Sequence, residues 1–290
     1  MTMIGEQRVD AGTRPDGPAP RRATARRVLM CRPDHFTVSY RINPWMHPAV
    51  PTDTDLALAQ WGTLLDTYRR LGIEVELIDP IRGLPDMVYA ANGGFVLDGV
   101  AYAARFRYRE RAAEGPAYAD WFEERGLRVV RPRHVNEGEG DFLLVGDTIF
   151  AGTGFRSAPA SHQEVGRVFD REVVPLRLVD PSYYHLDTAF AVLDSAGGPA
   201  SVAYLPRAFD AASRAELERR FPDAVHVTGE DAAVLGLNCF SDGRNVVVAS
   251  RATTFARDLA ARGYLPHAVD LSELLRGGGG VKCCTLELRW

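Results

Sequence analysis

The strongest constraint on the fold is a repeat in the punctuation of the chain. Residue pairs that close tight hairpins occur at Asp98-Gly99, Gly146-Asp147, Asp194–Gly198 and Asp242-Gly243, about 48 residues apart. After most of them come a strand, a polar bend and a helix, and the helix ends in a glycine followed by an apolar strand. Arg70-Leu-Gly72-Ile73, Glu124-Arg-Gly126-Leu127 and Ala261-Arg-Gly263-Tyr264 show this ending, and Arg219-Arg-Phe-Pro222 marks a fourth end without the glycine. A period of this size is the signature of a repeat architecture. A unit of two hairpin strands, one helix and one further strand, repeated about five times, predicts an α/β ring of ββαβ repeats. Its helices lie outside, and closure protects its strand edges. The competing open sheet fits less well, because hairpins between helices do not build a purely parallel sheet.

The first repeat is preceded by a tail, residues 1–26, expected to be disordered, in which Arg21, Arg22 and Arg26 lie among Pro, Ala and Gly. A single domain over residues 27–290 is expected beyond it. Strand Val28–Cys31, an extended segment Phe36–Tyr40, a helix from Thr52-Asp53 to Gly72 and strand Ile73–Ile78 open that domain. The net charge of −4 provides no basic footprint for nucleic acid. No apolar run reaches the roughly 18 residues that span a bilayer, and no apolar signal core opens the chain, so a cytoplasmic location is expected. The four cysteines, Cys31, Cys239, Cys283 and Cys284, have no CxxC spacing, and no HxxxH pair accompanies them, so no metal is expected. The run Gly277–Gly280 leads into a strand rather than a helix, unlike a nucleotide-binding glycine motif, and no cofactor is expected.

In a ring the loops at one end of the axis converge, and each repeat carries a polar cluster at the same phase. The clusters hold Asn43, then Asp86 and Asn92, then Glu137-Gly-Glu139-Gly-Asp141, then His185-Leu-Asp187-Thr188, then Asn238, and finally Cys283. Singly, each has an ordinary explanation: a solvated acidic turn, a core histidine, a thiol that behaves as a small hydrophobe. Together, thiol, histidine and carboxylate are the parts of nucleophilic catalysis. His185 and Asp187, two residues apart, would share a side of an extended chain, and the carboxylate would raise the histidine pKa. Lys282 would favour the Cys283 thiolate. A ring of carboxylates suits a flat cation with several N–H groups, such as a guanidinium.

The order acid-Gly-Asp, His-Leu-Asp-Thr, Gly-Gly-Gly-x-x-Cys-x-Thr resembles the guanidine-modifying superfamily of arginine deiminases, amidinotransferases and dimethylarginine dimethylaminohydrolases, from about residue 27 to the end. The resemblance implies a five-bladed pseudo-symmetric α/β propeller and a covalent thiouronium intermediate on cysteine. It implies Cys283 as nucleophile, with Cys284 a bystander, and His185 as general acid/base. Glu139 is taken as the carboxylate of the catalytic machinery, beside Asp141, although the family's acid-Gly-Gly-Asp is here one residue out of step. Asn43, Asp86, Asn92, Asp141, Asp187 and Asn238 are expected to bind substrate, and Arg111 and Arg156 to receive its carboxylate. At the end of the second cluster Asn92 stands where deiminases and the well-known dimethylaminohydrolases carry an acid. That form, with Ile42-Asn43-Pro44-Trp45, looks more like the arginine dihydrolases, which take arginine to ornithine, carbon dioxide and ammonia. The expected substrate is a small guanidino amino acid. Single hydrolysis to citrulline, amidino transfer and a non-catalytic arginine-binding protein are the alternatives. The sequence leaves oligomeric state open, a homo-oligomer included.

Overall fold

The computed structural model describes residues 21–196 and 198–290. Residues 1–20 of the expected tail, and Gly197 in the third turn signal, lie outside the described residues. Arg21–Arg26 run along the domain: the Thr24 N–H and hydroxyl both donate to the Asp242 carbonyl at 2.8 Å, and the Arg21 guanidinium lies 3.6 Å over the Tyr264 ring.

The fold is mixed α/β and is built from three-stranded units with the anticipated plan. The first unit is β3 (Gly94–Leu97), β4 (Val100–Ala103), α2 (Glu114–Glu124) and β5 (Arg128–Val130). The second is β6 (Phe142–Val145), β7 (Thr148–Thr153), α3 (Pro159–Phe169) and β8 (Val173–Arg177). The third is β9 (Phe190–Asp194), β10 (Ser201–Tyr204), α4 (Ala211–Arg220) and β11 (Val225–His226). The fourth, after the short α5 (Gly229–Ala232), is β12 (Phe240–Ser241), β13 (Asn245–Ala249), α6 (Thr253–Ala261) and β14 (Leu265–Val269). In each, the hairpin strands pair antiparallel and the strand after the helix returns parallel to the second of them.

The remaining unit joins both ends of the chain. After α7 (Ser272–Leu275), β15 (Leu286–Arg289) pairs antiparallel with β1 (Arg27–Cys31), Leu29 opposite Leu286, and β1 pairs parallel with β2 (Glu74–Ile78), which follows α1 (Thr54–Arg70). β15 also runs parallel to β3, so this unit and the first share a six-stranded sheet. The turn chemistry follows the sequence: Asp98 and Gly99 both have positive φ, as a type I′ hairpin requires, and Gly72, Gly126 and Gly263 are left-handed just past their helices. Asp53 caps α1 by accepting from the Leu56 N–H at 2.9 Å. The segment Phe36–Tyr40 is not a strand. It runs irregularly, Phe36 and Val38 buried, and continues into turns that hold Asn43 and Met46 inside.

The hairpin strands are largely buried on both faces, which is why they read as apolar runs, while the strands that follow the helices, β2, β5, β8, β11 and β14, keep exposed residues. Phe95, Tyr102, Phe142, Ile149 and Phe169 pack between the first and second units, and Phe150 stacks on Phe190 between the second and third at 5.6 Å. Each unit therefore presents its polar residues in the turn just before its first strand. Asn92 precedes β3, Asp141 precedes β6, Asp187 precedes β9, Asn238 precedes β12 and Cys283 precedes β15. The last turn is anchored from below, where the Thr285 hydroxyl donates to the Val281 carbonyl and meets the Tyr68 hydroxyl, both at 2.7 Å.

Gly278 has φ +91°, and a Cβ there would sit 2.8 Å from the Asn43 amide and the Tyr184 hydroxyl. Left-handed backbone costs a non-glycine residue roughly 1–2 kcal/mol before any clash. Gly278→Ala should lower the thermal midpoint by several degrees, as differential scanning calorimetry would show. An unchanged midpoint would mean that the glycine run is not constrained.

Candidate active site

The thiol of Cys283 is placed by one amide. The Asn238 Oδ1 accepts from the backbone N–H groups of Cys283 (3.0 Å) and Gly280 (3.1 Å), while its Nδ2 donates to the Cys283 Sγ (3.2 Å) and the Asp187 carbonyl (3.1 Å). Asn238, expected to bind substrate, thus spends its whole capacity on the Cys283 turn and the Asp187 carbonyl. The Cys283 thiol donates to the Asp187 Oδ2 at 3.3 Å. Burial pushes this thiol well above its ordinary value, and the charge of Asp187 adds to the shift. Burial also raises Asp187, to about 6, against the opposing charges of His185 and Lys282. The free protein accordingly holds a neutral thiol. Lys282 does not deliver a bare charge to it. Its ammonium is bonded to the Glu139 Oε2 (2.5 Å) and the Thr285 carbonyl (2.9 Å), beside a separate cavity lined by Arg26, Cys239, Glu287 and Arg289. Cys284 is fully buried among apolar neighbours, its thiol also raised by burial.

His185 meets a different carboxylate from the one its sequence neighbours suggested. Its Nε2 lies 2.8 Å from the Glu137 Oε2, the same oxygen that takes the Arg156 Nη1 at 2.8 Å. Burial alone would raise Glu137, but Arg156 and His185 hold its carboxyl well below the usual range. An ionised carboxylate only accepts, so Nε2 carries the proton. The Nδ1 of His185 is buried without a partner and is the nitrogen left for proton exchange. Glu139, taken from sequence as the catalytic carboxylate, is elsewhere: it accepts from Lys282, from the Glu287 N–H at 2.9 Å and from Arg289. Glu137 holds the place expected for it.

Three further expectations are corrected. Asp141 uses its oxygens on the backbone N–H groups of Ser157 and Leu186, both at 3.1 Å, and so ties the second unit to the third. Asn43 donates to the Gly277 carbonyl (3.0 Å) and accepts from the Trp45 and Met46 N–H groups, so it fastens the glycine run and caps a turn. Arg111 and Arg156 are buried internal counter-ions. Arg111 makes a bidentate pair with Glu114 at 2.7 and 2.9 Å, donates to the Asn92 Oδ1 at 2.8 Å and to the Asp86 carbonyl at 3.2 Å. Arg156 lies between the rings of Tyr108 and Tyr184, and its Nη2 donates to the Ile42 carbonyl at 3.1 Å. Glu114 was legible as an acid three residues after Arg111 at a helix start. Tyr40, whose hydroxyl donates to the Asp86 Oδ2 at 2.9 Å, carried no sequence signal.

Asp86 and Asp187 each keep one buried oxygen without a partner, Oδ1 in both cases. Buried carboxylate oxygens are costly when unpaired, so both stay open to a hydrogen-bond donor. The segment carrying Tyr40, Ile42, Asn43 and Trp45 is bonded across it to Asp86, Arg156, Gly277 and Ser182.

The sequence family described as "N,N dimethylarginine dimethylhydrolase, eukaryotic" matches residues 45–290. The chain is 52% identical over 278 residues to an N(G),N(G)-dimethylarginine dimethylaminohydrolase of Mycobacterium tuberculosis, covering 96% of this chain and 91% of that protein. It is 38% identical over 269 residues to the bifunctional arginine dihydrolase/ornithine cyclodeaminase ArgZ of Synechocystis, covering 90% of this chain but 37% of that protein. The crystal structure of the N-terminal domain of ArgZ bound to substrate superposes with a TM-score of 0.86 at 37% identity, covering 91% of this chain and 98% of that one. Fold, site and likeness together define a hydrolase acting on guanidino C–N bonds. The chain belongs to the dimethylarginine dimethylaminohydrolase family.

Because the thiol is raised and Asp187 contributes, iodoacetamide should modify Cys283 of the free enzyme more slowly at pH 8 than an exposed cysteine, with the rate still climbing at higher pH. Asp187→Asn should lower the thiol pKa and speed the reaction. A slower variant would contradict the electrostatic assignment.

Proposed function

We propose that Cys283 attacks the guanidino carbon of free L-arginine and that the enzyme hydrolyses this substrate twice, to ornithine, carbon dioxide and ammonia. The five units would form the blades of a closed propeller, with the substrate on its axis. The guanidinium binds against the open oxygens of Asp86 and Asp187. A cation about 4 Å from the sulfur is worth about 4 kcal/mol at an effective dielectric near 20, or roughly three pKa units. That favours the thiolate, and the proton passes to His185 Nδ1, the nitrogen left open for it. The S–C bond forms, His185 Nδ1 protonates the departing nitrogen, and the C–N bond breaks to leave a thiouronium. Water, deprotonated by the same nitrogen, then displaces the sulfur.

The observation that carries double hydrolysis is the orientation of Asn92. An arginine can only donate, so the contact with Arg111 fixes Oδ1 as the acceptor and Nδ2 as the donor; one of its N–H groups goes to the Glu137 carbonyl at 3.4 Å and the other is left to offer. Gly140 lies directly against that amide, and a Cβ there would also meet the His185 ring. An N–H donor beside the histidine does not attract a cation, but it suits the carbonyl of a neutral ureido group. Citrulline, the first product, is held by it for a second attack. The second reading is single hydrolysis of a methylated arginine to citrulline, and the name of the mycobacterial relative favours it.

Two experiments test these assignments. Cys283→Ser should abolish ammonia release from arginine, while Cys284→Ser keeps most of it; the reverse would move the nucleophile by one residue. Asn92→Asp should shift the product ratio toward citrulline by a few-fold, since a hydrogen bond between neutral groups contributes roughly 0.5–1.5 kcal/mol. A time course of citrulline, ornithine and ammonia reads this directly. Wild-type enzyme that forms only citrulline from arginine or dimethylarginine would replace double hydrolysis with single.

A further inference from the structure

The turn Gly138–Gly140 carries two fully buried carboxylates, Glu137 at its entry and Glu139 within it, that reach separate sets of partners. Glu137 holds His185 and Arg156. Glu139, two residues on, accepts from Lys282, from the Glu287 N–H and from Arg289, three positions of the C-terminal segment that carries the nucleophile. Lys282 is the residue before Cys283. Its N–H donates to the Asn238 carbonyl at 3.1 Å, its carbonyl accepts from the Thr285 N–H at 2.8 Å, and its ammonium reaches over the turn to the Thr285 carbonyl. The ammonium therefore clasps the turn 282–285 from one side while Asn238 fixes it from the other. One short turn of backbone connects the clasp on the thiol to the clasp on the histidine.

We propose that Glu139 is a positioning residue: through Lys282 it sets the place of Cys283 relative to His185, which Glu137 holds from the same turn. The proposal rests on Cys283 and His185 being the reacting pair. Glu139 touches neither substrate nor sulfur. Its effect is on attack geometry, where a misplacement of about 1 Å can cost on the order of 10²-fold in rate. It also neutralises Lys282, so that the thiol stays protonated until the substrate cation arrives.

The test uses the full chain, with ammonia and dimethylamine release measured from L-arginine and from dimethylarginine. Glu139→Gln should lower kcat ten- to hundred-fold with KM within about twofold. It should also speed Cys283 alkylation by iodoacetamide at pH 8, because Lys282 then keeps only the more distant Glu287 carboxylate, at 3.7 Å, as counter-ion. Lys282→Met, which leaves Glu139 paired with Arg289 and the Glu287 N–H, should lower kcat similarly but slow alkylation. The double variant should be no worse than the weaker single one, since both remove the same clasp. A kcat for Glu139→Gln within twofold of wild type overturns the proposal, as do losses that multiply in the double variant. An ion pair that only stabilises the fold would lower the melting temperature and leave kcat and alkylation of the folded enzyme unchanged. If Glu139→Gln shows no cooperative melt, Lys282→Met decides, and an unchanged kcat there overturns the proposal. Activity surviving in Cys283→Ser would show instead that the reading of the site is wrong.

Discussion

Glu137 is a fully buried ionised carboxylate, and much of the site is arranged to make that tolerable. Removing such a charge from solvent costs several kcal/mol unless close partners compensate. Arg156 and His185 share one of its oxygens, and the Arg107 N–H meets the other at 3.2 Å. Arg156 is itself a buried cation. It needs the Tyr108 and Tyr184 rings on its faces and the Ile42 carbonyl at its edge, which commits the segment over the site. Arg111, with Glu114 and Asp86, forms a neighbouring network of the same kind. A buried polar network of this sort acts as a unit, because a half-satisfied member costs more than the absence of the whole set.

The same accounting leaves the free protein incomplete. Two carboxylate oxygens lack donors, one histidine nitrogen lacks a partner, and the thiol beside them is held neutral. In the function proposed above, a guanidinium supplies N–H groups to the oxygens and positive potential to the sulfur. Substrate recognition and activation of the nucleophile are then one electrostatic event, and a thiol without substrate stays unreactive.

The two misassigned carboxylates have one cause. Residues two apart share a side only in extended chain. Glu137 and Glu139 span a 3₁₀ turn, and so do His185 and Asp187. At three residues per turn, such pairs diverge. Glu139 therefore goes to Lys282 while Glu137 takes the histidine, and Asp187 goes to the thiol while His185 takes Glu137. Extended geometry was the natural assumption beside apolar strands. The glycines around Glu139 hinted at a turn, but not at which acid it would aim inward. Arg111 and Arg156 were misread for another reason: a guanidinium near a site looks available until its internal acceptors are known.

What the sequence determined by itself was periodic and local. The turn pairs, the glycines past each helix and the apolar strands specify ββαβ units. The phase of the polar residues specifies that Asn92, Asp141, Asp187, Asn238 and Cys283 each precede a first strand, because turn conformation and strand burial depend on near neighbours. Tertiary structure decided the pairings: Glu137 with His185, Asn238 with the thiol, Asn43 with the glycine run, and the union of β15 with β1 across the length of the chain. Those pairings join residues far apart in sequence. Each is chosen by which buried charge or polar atom finds a complement, a condition that exists only once the units have come together.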